Sequence, residues 1–234
     1  MIARFEELDW QQTRMGELML RRRSDPATGE MIYEVKLGDE YLMSSLFTVA
    51  EEELATLGLA ACARDELSVL VGGLGLGYTA VTALDDPRVA RLEVIDALPA
   101  VIGWHERELL PVSTRLVTDA RTTLTHDDFF AVVRREPDAD ARRHDAILLD
   151  VDHSPRHTLD PSHADLYTEA GLTALARHLA DRGVFALWSD DPPDDDFMKV
   201  LAAVFDDTRA HVVDFDNRLT GGISSNTVYV GARR

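Results

Sequence analysis

The stretch from Ser68 to Asp96, SVLVGGLGLGYTAVTALDDPRVARLEVID, leaves few folds open to the chain. The apolar run Val69 to Val71 stops at Gly72-Gly73-Leu74-Gly75-Leu76-Gly77, and helix-compatible residues begin at Tyr78. Glycines in such a place let the backbone turn tightly and let a ligand come within contact distance. The helix behind them presents free N–H groups and a partial positive charge. Asp96 closes the next strand about 20 residues later, where a nucleotide-binding βαβ unit puts the acid that holds a ribose. The plainer alternative is a tight strand-to-helix turn with nothing bound. The strand before the glycines and the acid after them favour a nucleotide.

Downstream, strand and helix patterns alternate. Strands are predicted at 68–72, 91–96, 115–118, 145–150 and 183–189, and helices at 77–84, 98–109, 126–135, 163–181 and 194–205. Two final apolar runs, Ala210 to Phe215 and Thr227 to Gly231, flank a turn-rich segment and should pair antiparallel. This predicts an α/β fold: a Rossmann-like, doubly wound, mostly parallel seven-stranded sheet with an antiparallel C-terminal strand. Residues 1–47 differ. Glu17 to Arg23, Met31 to Leu37 and Tyr41 to Met43 read as short strands between turns, so a small N-terminal β cap is expected before a catalytic domain over 48–234. Thr48 to Ala63 reads as a helix, with Thr48 and Glu51 in a capping-box pattern. Pro137 to Arg143 reads as a polar surface loop.

Every polar candidate in this reading stands at the C-terminal end of a predicted strand: the glycine loop, Asp96, Asp119 with Ala120, Asp150, and Asp190-Asp191. Open α/β sheets bind ligands along that edge, although acids also favour turns and caps for purely structural reasons. The segment Asp150-Val151-Asp152-His153-Ser154-Pro155-Arg156-His157 could orient and deprotonate an amine. It could also be read as a metal site, but its spacing matches no closed metal signature, and no metal is expected. Lone histidines such as His105 and His178 read as helix-surface or boundary residues.

A net charge of −18 excludes a phosphate-backbone binder, because no basic patch stands out, and would suit a cationic partner such as an amine. Cys62 is the only cysteine, which fits a reducing cytoplasm. No stretch approaches the ~20 apolar residues of a membrane span, so a cytoplasmic protein with no membrane partner is expected. The small cap and the apolar faces of the 48–63 helix are compatible with a homodimer.

The order of these pieces resembles the spermidine synthase family, the polyamine aminopropyltransferases, which have a class I methyltransferase-like Rossmann fold. The matches are Gly72 to Gly77, Asp96 with Pro99-Ala100-Val101-Ile102, Asp119-Ala120, and His144 through Asp150. The resemblance implies a transferase that uses S-adenosylmethionine or its decarboxylated form as co-substrate. Gly72, Gly73, Gly75 and Gly77 would hold the methionine-derived end of the nucleotide. Asp96 would hold its ribose, and Asp119 with Ala120 would face its adenine. Asp150, helped by Asp152 or His153, would act on the amine acceptor.

The departures matter equally. The family's glycine-loop acid corresponds to Gly75. Its Asp-Glu-x-x-Tyr-His-Glu segment corresponds to Phe47 through Glu53 and keeps only Glu53. Its preceding glutamine falls at Leu42, and its second active-site aspartate falls at His153. The nucleotide half is thus expected intact and the polyamine half rewritten. Losing the glycine-loop acid also opens the alternatives of methyl transfer from S-adenosylmethionine and of a nucleotide-binding relative that is not an enzyme.

Overall fold

A computed structural model describes residues 5–140 and 142–234. The first four residues of the expected cap, and Ala141 in the expected 137–143 loop, lie outside the described residues. The chain begins with four antiparallel strands, β1 (Phe5–Thr13), β2 (Gly16–Ser24), β3 (Met31–Leu37) and β4 (Glu40–Ser44), paired in sequence order. β1 was not expected; most of its side chains are exposed, so no alternation of apolar and polar residues marks it.

Helix α1 (Val49–Ala60) leads into the parallel region: β5 (Leu67–Gly72), α2 (Tyr78–Asp85), β6 (Val89–Asp96), α3 (Pro99–Glu106), α4 (Ser113–Thr118), β7 (Thr122–His126), α5 (Phe129–Arg134) and β8 (His144–Leu149). A single 3₁₀ turn (Pro161–His163), α6 (Glu169–Ala176), β9 (Leu179–Ser189), α7 (Asp195–Val204) and the hairpin β10 (Phe205–Asn217)–β11 (Gly222–Arg233) complete it. The large sheet has the order β10-β11-β9-β8-β5-β6-β7. β5 through β9 run parallel, and β11 is antiparallel to both neighbours. The expected Rossmann-like architecture is therefore present.

Alternation along the central strands sends side chains to two cores. Val69, Val71, Ala146 and Leu148 face α1–α3, whereas Leu70, Ile147 and Leu149 face α5–α7. β5 is followed by β6 on one side and, after a crossover, by β8 on the other. That reversal opens a crevice beyond the strands' C-terminal ends.

One strand differs from the sequence expectation. Residues 115–118 form the end of α4, not a strand, and the third parallel strand is Thr122-Thr123-Leu124-Thr125-His126. The run Arg115-Leu116-Val117-Thr118 has strand-like composition, but Leu116 is buried while Val117 is exposed on a helix. β7 is the sheet edge and half exposed, so it carries little apolar signal. The predicted 163–181 helix is also shorter. Thr168 caps α6 by accepting from the Gly171 N–H at 3.2 Å, which fixes its start, and the chain re-enters the sheet at Leu179.

The small sheet is fastened to the large unit through Asp9. Its Oδ2 accepts from Trp104 Nε1 at 2.6 Å and from Arg107 at 2.8 Å. Leu18, Leu20 and Val35 extend the core formed with α1–α3. Arg218, at the tip of the β10–β11 hairpin, pairs with Glu30 on the cap at 2.8 Å, and Phe215 packs on Phe47. Asp9→Ala leaves the buried indole N–H of Trp104 without its acceptor. A loss of about 1–3 kcal/mol is expected, read as a lower denaturation midpoint with faster amide exchange in β1 and β2.

Candidate active site

The glycine turn after β5 meets the end of β8 at very short range. Gly73 has φ +92°, and a Cβ there would overlap the carbonyl oxygen of Asp150. Only glycine allows this approach, and it exposes backbone to the crevice beside a carboxylate. Asp96 ties the turn down: Oδ2 accepts from the Leu74 N–H at 2.9 Å and Oδ1 from the Leu98 N–H at 2.8 Å. Burial raises its pKa, and these backbone donors pull the other way. The Gly75 N–H acts on the same carboxylate, so of its roughly four acceptor sites one is left for a further donor.

Two lobes open from this point. The first, about 470 Å³, is lined by Gly73, Gly75, Asp96, Leu98, Val101, Asp128, Phe129, Phe130 and His163. It has the apolar wall and convergent polar groups that a nucleoside needs. The second, about 420 Å³, is lined by Glu51, Tyr78, Asp150, His153, Trp188, Asp190, Phe215 and Asn226, and among the described residues no lysine or arginine lines it. Leu42, Met43, Gly75, Asp150, Val151 and Leu159 line both lobes and form the neck between them. Met43 reaches down from β4, and a Cβ on Gly75 would lie 2.7 Å from its Sδ. The space above Gly75 is therefore filled by the cap.

The crevice gathers Gly73, Gly75, Asp96, Asp150 and His153, all named from the sequence. Gly77 also lines the second lobe, where it caps α2, whereas Gly72 ends β5 and lines neither lobe. Asp119 and Ala120 are a correction. They precede β7 and so lie at the opposite edge of the sheet from Asp96, which pairs with His126. Asp119 is committed to Arg121 at 2.7 Å, a bond that holds its carboxyl down at about 2. Two acids, Asp127 and Asp128, follow the true strand, and Asp128 lines the nucleoside-like lobe and caps α5 through the Ala131 N–H.

Asp152 is a second correction. Its side chain is wholly buried and accepts from the Leu159 N–H (2.7 Å), His163 Nδ1 (2.8 Å) and the Tyr167 hydroxyl (2.7 Å). It anchors the 150–163 loop, whose Leu159 stands in the neck, and does not reach the crevice. His163 stacks on Phe130 with ring centroids 3.6 Å apart. His157 turns to Asp191 at 2.9 Å instead. His105 and His178 are buried, not at the helix surface. Beneath the loop, His105 Nε2 meets the Gly75 carbonyl at 3.0 Å, and burial depresses its pKa.

Sequence reasoning missed Glu51. The expected capping box does not form: Thr48 has φ −120° and ψ −4° and donates to Glu52 Oε1 at 2.7 Å, leaving Glu51 to face the second lobe. The hydroxyl of Thr79 on α2 donates to Asp150 Oδ2 at 2.8 Å and lies 3.3 Å from the Glu51 carbonyl, joining α1, α2 and β8. Burial, then the nearby Asp150 charge, pushes Glu51 up to about 8, and burial pushes Asp150 up to about 6. Acids raised this far in a cleft are candidates for chemistry.

No protein-family profile and no curated protein matches the sequence. Solved structures do match the fold. A spermidine synthase from Thermotoga maritima is 19% identical with a TM-score of 0.74, covering 97% of this chain and 73% of its own. A spermidine synthase in complex with the transition state analogue AdoDATO is 18% identical with a TM-score of 0.73, covering 97% and 72%. Human methyltransferase-like protein 13 in complex with SAH is 19% identical with a TM-score of 0.56, covering 79% and 82%. The chain therefore has a Rossmann-like, spermidine synthase-like fold, one that methyltransferases share. Among the described residues no helix is long and apolar enough to cross a membrane.

The raised pKa of Glu51 has a stability consequence. Between its ordinary value of 4.5 and about 8, the folded chain retains a proton that the unfolded chain has lost. Stability attributable to this group therefore falls as pH rises through that window. Glu51→Gln removes the decline, so its melting temperature should gain on the wild type between pH 5 and pH 9 and not below pH 4.

Proposed function

We propose that the chain is a group transferase that uses an S-adenosylmethionine-type nucleotide and acts on a cationic amine. The carrying observation is the meeting of two unlike lobes at Gly75 and Asp150, one fitted to a nucleoside and one acidic with no balancing lysine or arginine among the described residues. The fit to the nucleotide rests on the glycine cradle, where a Cβ on Gly73 would fill the approach, and on the acceptor site that the three backbone donors leave on Asp96. Asp96 would hold the ribose and Asp128 the base, while Phe130 and Leu98 would pack on the nucleoside. When bound, such a nucleotide supplies a sulfonium-activated carbon.

The residues of the second lobe do the rest. Asp150 accepts the ammonium proton of the acceptor and holds the freed nitrogen at the neck. With its pKa raised to about 6, it is a base closer to neutral than an ordinary aspartate. Leu42, Met43 and Leu159 narrow the neck around the reacting atoms and exclude water. An aminopropyl group, which carries an ammonium of its own, suits this acidic neck better than a group carrying a carboxylate. The fold likeness to spermidine synthases points the same way. One observation favours methyl transfer instead: Gly75 offers no carboxylate to repel that of S-adenosylmethionine.

A thermal-shift titration with decarboxylated S-adenosylmethionine, S-adenosylmethionine, S-adenosylhomocysteine and methylthioadenosine tests the reading. Ligand at a hundred times its dissociation constant adds about 2.7 kcal/mol. The largest shift is expected with the decarboxylated form. A preference for the carboxylate-bearing nucleotides would select the methyl reading, and no shift with any ligand would remove the function. Asp96→Ala should weaken nucleotide binding about 10–100-fold, the worth of a charged hydrogen bond. Asp119→Ala should leave binding unchanged. Asp150→Asn should bind the nucleotide yet lose turnover of an amine acceptor.

A further inference from the structure

The second lobe contains a carboxyl pair that the reading above, on which this inference rests, uses only in part. Glu51 enters from the first turn of α1 and Asp150 from the end of β8, and Thr79 of α2 touches both residues. The other charged or titratable groups around Glu51 are Asp190 beyond β9, Glu52 on its own helix, Tyr78 on α2 and, lining the same lobe, Tyr41 and His153. Asp190 is already bonded to Asn226 Nδ2 at 2.7 Å, and Glu52 accepts from Thr48. Among the described residues, no side chain donates to the Glu51 carboxyl, and no arginine or lysine lines the lobe to neutralise it. Two acids that face one desolvated space resist ionising together, so near neutral pH the pair keeps one proton.

We infer that Glu51 and Asp150 form a single ammonium site in which a bound primary ammonium replaces the proton the pair holds. The exchange balances. The cation's N–H groups donate to both carboxylates, the pair goes from one negative charge to two, and the displaced proton passes to solvent. Glu51 is then a specificity-determining residue: it reads positive charge in a lobe whose glycine loop, at Gly75, has no acid. The ammonium can come from either of two sources, the transferred group of the nucleotide or the acceptor.

Isothermal titration of the full chain near pH 7, repeated in two buffers of different ionisation enthalpy, counts the protons released. Three ligands are used singly: decarboxylated S-adenosylmethionine, 1,4-diaminobutane, and methylthioadenosine, which lacks an ammonium. About one proton should leave per ammonium bound, falling toward none above pH 9, and none should leave with methylthioadenosine. Release with the nucleotide alone places the site at the transferred group; release with the diamine alone places it at the acceptor. Glu51→Gln should abolish release and weaken the ammonium ligand at least about tenfold, with methylthioadenosine binding kept as proof of a folded nucleotide lobe. Ammonium binding without proton release, or a Glu51→Gln variant that keeps both release and affinity, overturns the inference. Failure of both ammonium ligands while methylthioadenosine binds also overturns it and leaves the nucleotide reading standing. Failure of all three removes both.

Discussion

The crevice depends on one backbone contact. Gly73 comes so close to the Asp150 carbonyl that no side chain fits between them. This contact sits where the sheet's order reverses between β5 and β8. It fixes how far apart the two strand ends stand, and thus where one lobe stops and the next begins. Asp96 holds the loop from the other flank through the Leu74 N–H and steadies its own turn through the Leu98 N–H, while His105 meets the loop at the Gly75 carbonyl. A loop held on three sides does not need to reorganise when a ligand arrives, which lowers the cost of binding. A residue with a Cβ at position 73 would push β8 away from β5 and disturb both lobes together.

The cap and the last hairpin act on this fixed frame from above. Met43 fills the space over Gly75, and Leu42 narrows the neck. Phe215 and Asn226 come from the hairpin to wall the acidic lobe. Burial then raises both Glu51 and Asp150, and the Asp150 charge adds to the rise at Glu51. Shape and charge are the same constraint here: the walls that narrow the neck also remove the water that would screen the two acids.

What the sequence disclosed follows from how strongly each element had to be buried. β5, β8 and β9 are covered on both faces, so their apolar runs were readable, and the glycines and terminal acids followed from them. β7 is an edge strand and β1 is mostly exposed. Neither needs an apolar face, so neither showed itself. The misplacement of β7 carried Asp119 into the site and left Asp128 out. Glu51 was hidden differently. It occupies a position where an acid serves as a routine helix cap, and only the turn of Thr48 toward Glu52 reveals that it faces the lobe. Asp152 had the opposite fate, since Leu159, His163 and Tyr167 all donate to it. Whether a polar side chain is spent on the fold or left for a ligand depends on partners far away in the chain, which spacing cannot report.

The two lobes draw on different lengths of the chain. Nothing beyond His163 lines the nucleoside-like lobe, whereas the acidic lobe needs Phe215, Asn217 and Ser224 to Asn226 from the final hairpin. During synthesis the acidic lobe is therefore the last part to be walled, after every residue that lines its neighbour has left the ribosome. The same separation bears on descent. Substitutions in the hairpin can reshape one compartment without touching the loop, acid and strand ends of the other, so a lineage built on this frame can remodel the acidic lobe while keeping its neighbour.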